Sequence, residues 1–296
     1  MRRVCSQIVV GAGLALAALV LPGCDPSKRM PDDAGAIVDP NNLPSYEAAA
    51  ARYNSAANRL GQFWASAVVR LAYVDAEGKR REDQGEGRVQ LAQPANVALN
   101  IGKLGETYIW IGADQNRYWW LDLTGSDRIA FTGRHENYSR SRARALGVIV
   151  PPQDLITLLG IAPLPERGGA VQASSDGRLF GLTAYLRDGR SKQRVWVDPA
   201  SGLPVQVELF GEKAEDLIVA SLSAHQPVSI RGDGNPPQVA TRVKISHAAS
   251  NSLITLDLTD MEDGQSRIRP EAFNLGVLLK QLRVDKLYDL DSPRKP

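Results

Sequence analysis

Few residues in this chain have the type and spacing that chemistry requires. Its three histidines, His135, His225 and His247, lie far apart and lack the close spacing of a zinc site. There is no Gly-x-Ser-x-Gly elbow and no phosphate loop of Walker type. Arg231-Gly232-Asp233 spells an adhesion tripeptide, but inside a Gly/Pro-rich loop it reads as a turn. Asp260, Glu262 and Asp263 precede Gly264 without the full spacing of a calcium loop, which suits a hairpin tip. Catalysis needs a base, a nucleophile or a metal gathered in one pocket, and no linear motif announces such a set. The expectation is a protein that is not an enzyme and needs no cofactor or metal. The one reactive side chain in a distinctive setting is Cys24, directly after Gly23.

Arg2 and Arg3 precede an apolar run of 14 residues, Ile8 to Leu21, and Leu21-Pro22-Gly23-Cys24 closes it. A basic start, a short apolar core and a small residue before the cut are the parts of an export signal. The run is shorter than the ~20 residues of a membrane-spanning helix. Cys24 after Gly23 resembles the lipobox of bacterial lipoproteins, although Pro22 stands where Ala, Ser or Thr is usual. The resemblance implies cleavage of residues 1–23 and lipidation of Cys24; an ordinary secretory peptide ending in Cys is the alternative. Residues 24–44, rich in Pro, Asp, Asn and Gly, are expected to form a flexible tether.

Loss of residues 1–23 removes two of 35 basic residues and none of the 33 acidic ones, leaving 33 of each sign. A neutral chain has no long-range field to gather nucleic acid, so that partner is excluded. Cys5 leaves with the signal, so no intrachain disulfide can form and burial alone must hold the fold. Residues 45–296 are expected to form a single domain, and a monomer.

The elements that must position any site follow from periodicity. Ser45 can cap a helix over Tyr46–Leu60, with Tyr46, Ala50, Tyr53, Ala57 and Leu60 on one stripe. From Phe63 the period becomes two, predicting one long strand to Tyr73. Strands follow at 85–92, 96–101, 107–112 and 117–123, joined by hairpin-sized links. A Pro-entered, Gly-ended helix is expected at 151–160, on a mobile segment from Ser141 to Arg167. Strands resume at 179–187, 193–197, 204–210, 218–222, 240–247 and 253–261, and a last helix is expected over 273–287. About eleven strands with two or three segregated helices predict an α+β fold: a large curved antiparallel sheet, a half-open β-barrel, with helices on one face.

Four features in this order resemble the LolA/LolB-like proteins and the wider outer-membrane lipoprotein-sorting superfamily, over Ser45 to Leu275. They are the helix running into a long strand (Tyr46–Asp75), the hairpin TYIWIGADQNRYWWLDL, the Pro-flanked PPQDLITLLG, and WVDPASGLPVQVELF with a terminal strand ending in IRPEAFNL. The resemblance implies an incomplete barrel whose apolar cavity takes up acyl chains, of a lipid or a lipoprotein. Val69, Leu71, Tyr73, Leu99, Trp110, Trp119, Leu121, Phe180 and Trp196 are the expected lining. Adjacent residues on a strand point to opposite faces, so at most one of Trp119 and Trp120 can face the cavity. Ordinary core packing is the competing account for each Trp. Arg134, Arg140, Arg142 and Arg144 form the densest basic run and are candidate headgroup contacts, a solvated loop being the alternative. Arg70 is expected to face solvent.

LolA-like carriers have no anchor and LolB-like receptors are lipoproteins, so Cys24 points to an anchored protein on the periplasmic side of a bacterial membrane. Asp25 after Cys24 leaves inner and outer membrane both open. The rival functions are an envelope sensor or assembly protein with a side-chain-filled concavity, and a hydrolase with dispersed residues. A filled cavity would remove the basis of the carrier.

Overall fold

The computed structural model describes residues 38–74, 78–138, 150–186, 191–211, 216–247 and 250–292. Ser45 caps the first helix, accepting a hydrogen bond from the Ala48 amide at 3.2 Å, and α1 runs Tyr46–Ala57 into a 3-10 turn, Asn58–Leu60. Among the described residues the chain then alternates inward and outward through fourteen strands of one sheet.

The first arm comprises β1 (Gln62–Val74), β2 (Arg80–Ala92), β3 (Asn96–Lys103), β4 (Glu106–Ala113), β5 (Arg117–Asp122) and β6 (Ile129–Arg134). The second comprises β7 (Ala170–Ala173), β8 (Phe180–Tyr185), β9 (Lys192–Val197), β10 (Pro204–Phe210), β11 (Ile218–Pro227), β12 (Gln238–His247) and β13 (Ser252–Glu262). Each arm is an antiparallel meander, and β1 paired with β13 joins them, Ala67 facing Leu258. β14 (Lys286–Asp289) lies outside β6, so the order is β14-β6-β5-β4-β3-β2-β1-β13-β12-β11-β10-β9-β8-β7. The end strands β14 and β7 do not pair, so the curved sheet stays unclosed.

The bend has a local cause in the first arm. A β-carbon on Gly87 would lie 1.9 Å from the Asn100 carbonyl oxygen, and one on Gly102 would lie 2.0 Å from that of Glu106. Only glycine lets neighbouring backbones come so close, and such steps are where a sheet coils.

The α+β class and the curved sheet are as expected; several details differ. β6, β7 and β14 were not foreseen. The expected helix over 273–287 is a 3-10 turn, Pro270–Phe273, and a short α3, Leu275–Gln281, before the chain becomes β14. Pairing of β14 with β6 is parallel, because α3 and its flanking turns carry the chain back across the sheet. The helices also do not share a face. Leu278 of α3 packs over Trp119, Leu121 and Ala130 on the convex side, with Ala272 and Phe273 over Ala98. α1 belongs to the cluster on the concave side.

The middle of the chain differs most from expectation. Of the segment expected to be mobile, Ser141 to Ile149 lie outside the described residues. The rest is core. A 3-10 turn, Pro152–Asp154, touches β3, β4 and β5, and α2, Leu155–Leu158, touches β10. Leu155, Ile156, Leu158, Leu159, Ile161 and Leu164 are all buried. The segment therefore bridges both arms and plugs the concavity. A short helix apolar on every side gains most by burial all round.

His225 on β11 carries the clearest pH effect. Burial holds its imidazole below the ordinary 6.5, outweighing the 2.8 Å hydrogen bond to the Pro204 carbonyl that favours the cation. As pH falls below about 6.5 the unfolded chain takes up this proton first, so stability declines with acidification. The urea midpoint is expected to be lower at pH 5.5 than at pH 7.5, and the gap to narrow in His225→Gln.

Candidate functional site

Cross-strand register fixes what the concave face carries. In β1 it is Phe63, Ala65, Ala67, Val69, Leu71 and Tyr73, opposite Leu91, Val89, Gly87, Gly85, Asp83 and Arg81 of β2. Val89 and Gly87 face Leu99 and Ile101, which face Ile111 and Ile109, and Ile111 faces Trp120. On the other side Val69 and Leu71 face Leu256 and Ile254 of β13.

At the Phe63 end α1 and the plug cover this face. They are fastened together by polar contacts: the Tyr53 hydroxyl donates to the Gly160 carbonyl at 2.7 Å. The Asn54 amide donates to Leu164 O and accepts from Leu164 N, both at 2.8 Å. Gln93 Nε2 reaches Leu60 O at 2.9 Å and Ile161 O at 3.1 Å. Burial pushes the Tyr53 phenol well above its usual range, so it stays a neutral donor.

The enclosed hollow on which the carrier expectation rested is accordingly filled here, and that basis is removed. The recess left between α1, the plug and β10 holds about 40 Å³, little more than a water, against the ~300–1,000 Å³ of ligand pockets. A larger recess of about 300 Å³ lies at the sheet end, lined by Arg80, Ser246, His247 and Leu253 from both faces.

Beyond the plug, toward the opposite end, the concave face is covered less. Leu71, Ile101, Ile109, Ile111, Phe131 and Ile254 share this strip and are all half-buried. Its floor over β2 lacks side chains at Gly85, across which Ile101 leans. Lys79, Arg80, Arg81 and Lys103 stand exposed on the two hairpins at this end. Between them, at the β3–β4 turn, Leu104 is 94 % exposed with φ +54°.

The expected lining divides by face. Val69, Leu71, Tyr73, Leu99 and Phe180 face inward, Tyr73 at the rim with its hydroxyl 3.0 Å from Asp83. Trp110, Trp119, Leu121 and Trp196 do not. The first three form the convex cluster under α3, where Trp119 lies over Gly112. Trp196 is convex too, donating to Glu208 at 2.9 Å and stacking with Arg194. Both faces of β4 and β5 are apolar, so composition could not say which was inward. The inward Trp is Trp120, which stacks on Phe131 at 5.1 Å, and Phe131 on Tyr288 at 5.4 Å. Counting register back through the β4–β5 hairpin from Leu99 was the signal that could have found it.

Arg134 pairs with Glu136 at the α1 end, away from the uncovered strip. Arg140, Arg142 and Arg144 lie outside the described residues, as do Cys24 and the segment before residue 38. Arg70 faces outward as expected, bridging to Asp257 together with Arg242; those two guanidiniums hold the Asp257 carboxyl below its usual range. Asp233 of the adhesion-like tripeptide is engaged by Arg59. Glu262 pairs with Arg267, and among the described residues no group of three or more His, Cys, Asp or Glu is placed to hold a metal. No helix among them is long and apolar enough to cross a membrane.

The architecture is the unclosed, helix-covered sheet implied by the LolA/LolB resemblance. The chain is similar in fold to a LolA superfamily protein from Nitrosomonas europaea, at 18% identity and TM-score 0.47, covering 79% of this chain and 99% of that one. It is also similar to a DUF1329 family protein from Desulfovibrio piger (13%, 0.47, covering 79% and 97%). A third likeness is to an outer membrane lipoprotein-sorting protein domain from Vibrio parahaemolyticus (14%, 0.46, covering 79% and 99%). No family model matches the chain, and no curated protein does.

Proposed function

We propose that this is a periplasmic, Cys24-anchored protein that holds an acyl chain along the uncovered concave strip and makes or breaks no bond in it. The observation that carries the reading is the strip itself: six aliphatic and aromatic side chains on one curved face, left half-covered beside a fastened plug. Half-burying a 16-carbon tail there would recover about 6 kcal/mol at ~0.8 kcal/mol per methylene, before ordering costs. In this reading residues 24–44 are the tether and 45–296 the binding domain. The end bearing Leu104 and its basic neighbours meets the bilayer: Leu104 would contribute about 1.5–3 kcal/mol by insertion and each cation about 1 kcal/mol on an anionic surface.

Two measurements test this. Solvent extraction of the purified chain, followed by mass spectrometry, should yield lipid, and the emptied protein should take up a fluorescent fatty acid. No lipid and no uptake would sink the proposal. In a Cys24→Ser background, Leu104→Glu should weaken binding to phosphatidylglycerol vesicles about tenfold or more while fatty-acid uptake persists.

A second reading is favoured by the plug. A concavity filled by Leu155, Leu158 and Leu159 is what a sensor or assembly protein without a transported ligand would have. Failure of both lipid measurements would decide for it.

A further inference from the structure

We draw no further inference here: the strongest candidate, the recess of about 300 Å³ at the sheet end lined by Arg80, Ser246, His247 and Leu253, carries nothing because residues 75–77, 212–215 and 248–249, which adjoin its lining, lie outside the described ones and nothing in the structure shows what covers it.

Discussion

Gly87→Ala is expected to leave the chain largely unfolded. A single added methyl would meet the Asn100 carbonyl oxygen at 1.9 Å and the Ile101 α-carbon at 3.3 Å. Both belong to the backbone of β3, so no side chain can swing aside. Relief requires β2 and β3 to separate at the bend, where Glu86, Gly87 and Arg88 pair with Gly102, Ile101 and Asn100. Losing that pairing flattens the arm and uncovers Val89, Leu91 and Leu99 together. The cost should exceed about 4 kcal/mol, most of the ~5–15 kcal/mol that holds a typical domain. Soluble yield and the urea midpoint report it. Gly61→Ala, with nothing within 4 Å of the added methyl, is the control that should keep both.

The second large effect is expected at the plug. Leu158 is fully buried between the sheet arms, so Leu158→Ala should cost about 2–5 kcal/mol, the spread depending on how far the site collapses. Its value is that stability and binding should move in opposite directions. The urea midpoint falls, while the void opened in the plug beside β10 enlarges the apolar interior that an acyl chain could enter, and fluorescent fatty-acid uptake rises. Lower stability with unchanged uptake would separate the plug from the binding face. Asn54 and Tyr53 keep the rest of the segment on α1 in this variant, so the change stays local.

Period-two alternation was enough to find the long strands, because Phe63 to Tyr73 and its partners bury one face continuously. It failed where an element exists only through its neighbours. β14 is four residues, all exposed, and forms because β6 offers it a ladder; alone, Leu275, Leu278, Leu279 and Leu282 suggested a longer helix. β6 carries Gly133 and two flanking polar ends, and β7 reads Ala-Val-Gln-Ala, too small and short to stand out. The site was half legible for a related reason. Alternation says which residues share a face and is silent on which face is inward wherever both are apolar. α3 covers Trp110, Trp119 and Leu121 from outside, so the conspicuous tryptophans marked the wrong side. The plug was misjudged because prolines and a glycine at its ends suggested a connector, whereas Leu155 to Leu164 has an apolar residue at nearly every buried contact.

Placing β1 between β2 and β13 has a consequence for biogenesis. The first arm can zip up hairpin by hairpin as it emerges, yet the far side of β1 must wait for Ser252–Glu262, the last strand of the second arm to be made. Until then Ala67, Val69 and Leu71 border a raw row of amides and carbonyls, the sort of template on which nascent chains join wrongly. Escort by a holdase, or delivery fast enough to outrun misjoining, is therefore built into the requirements of this topology, and a chain shortened before β13 would keep two half-sheets with nothing to unite them.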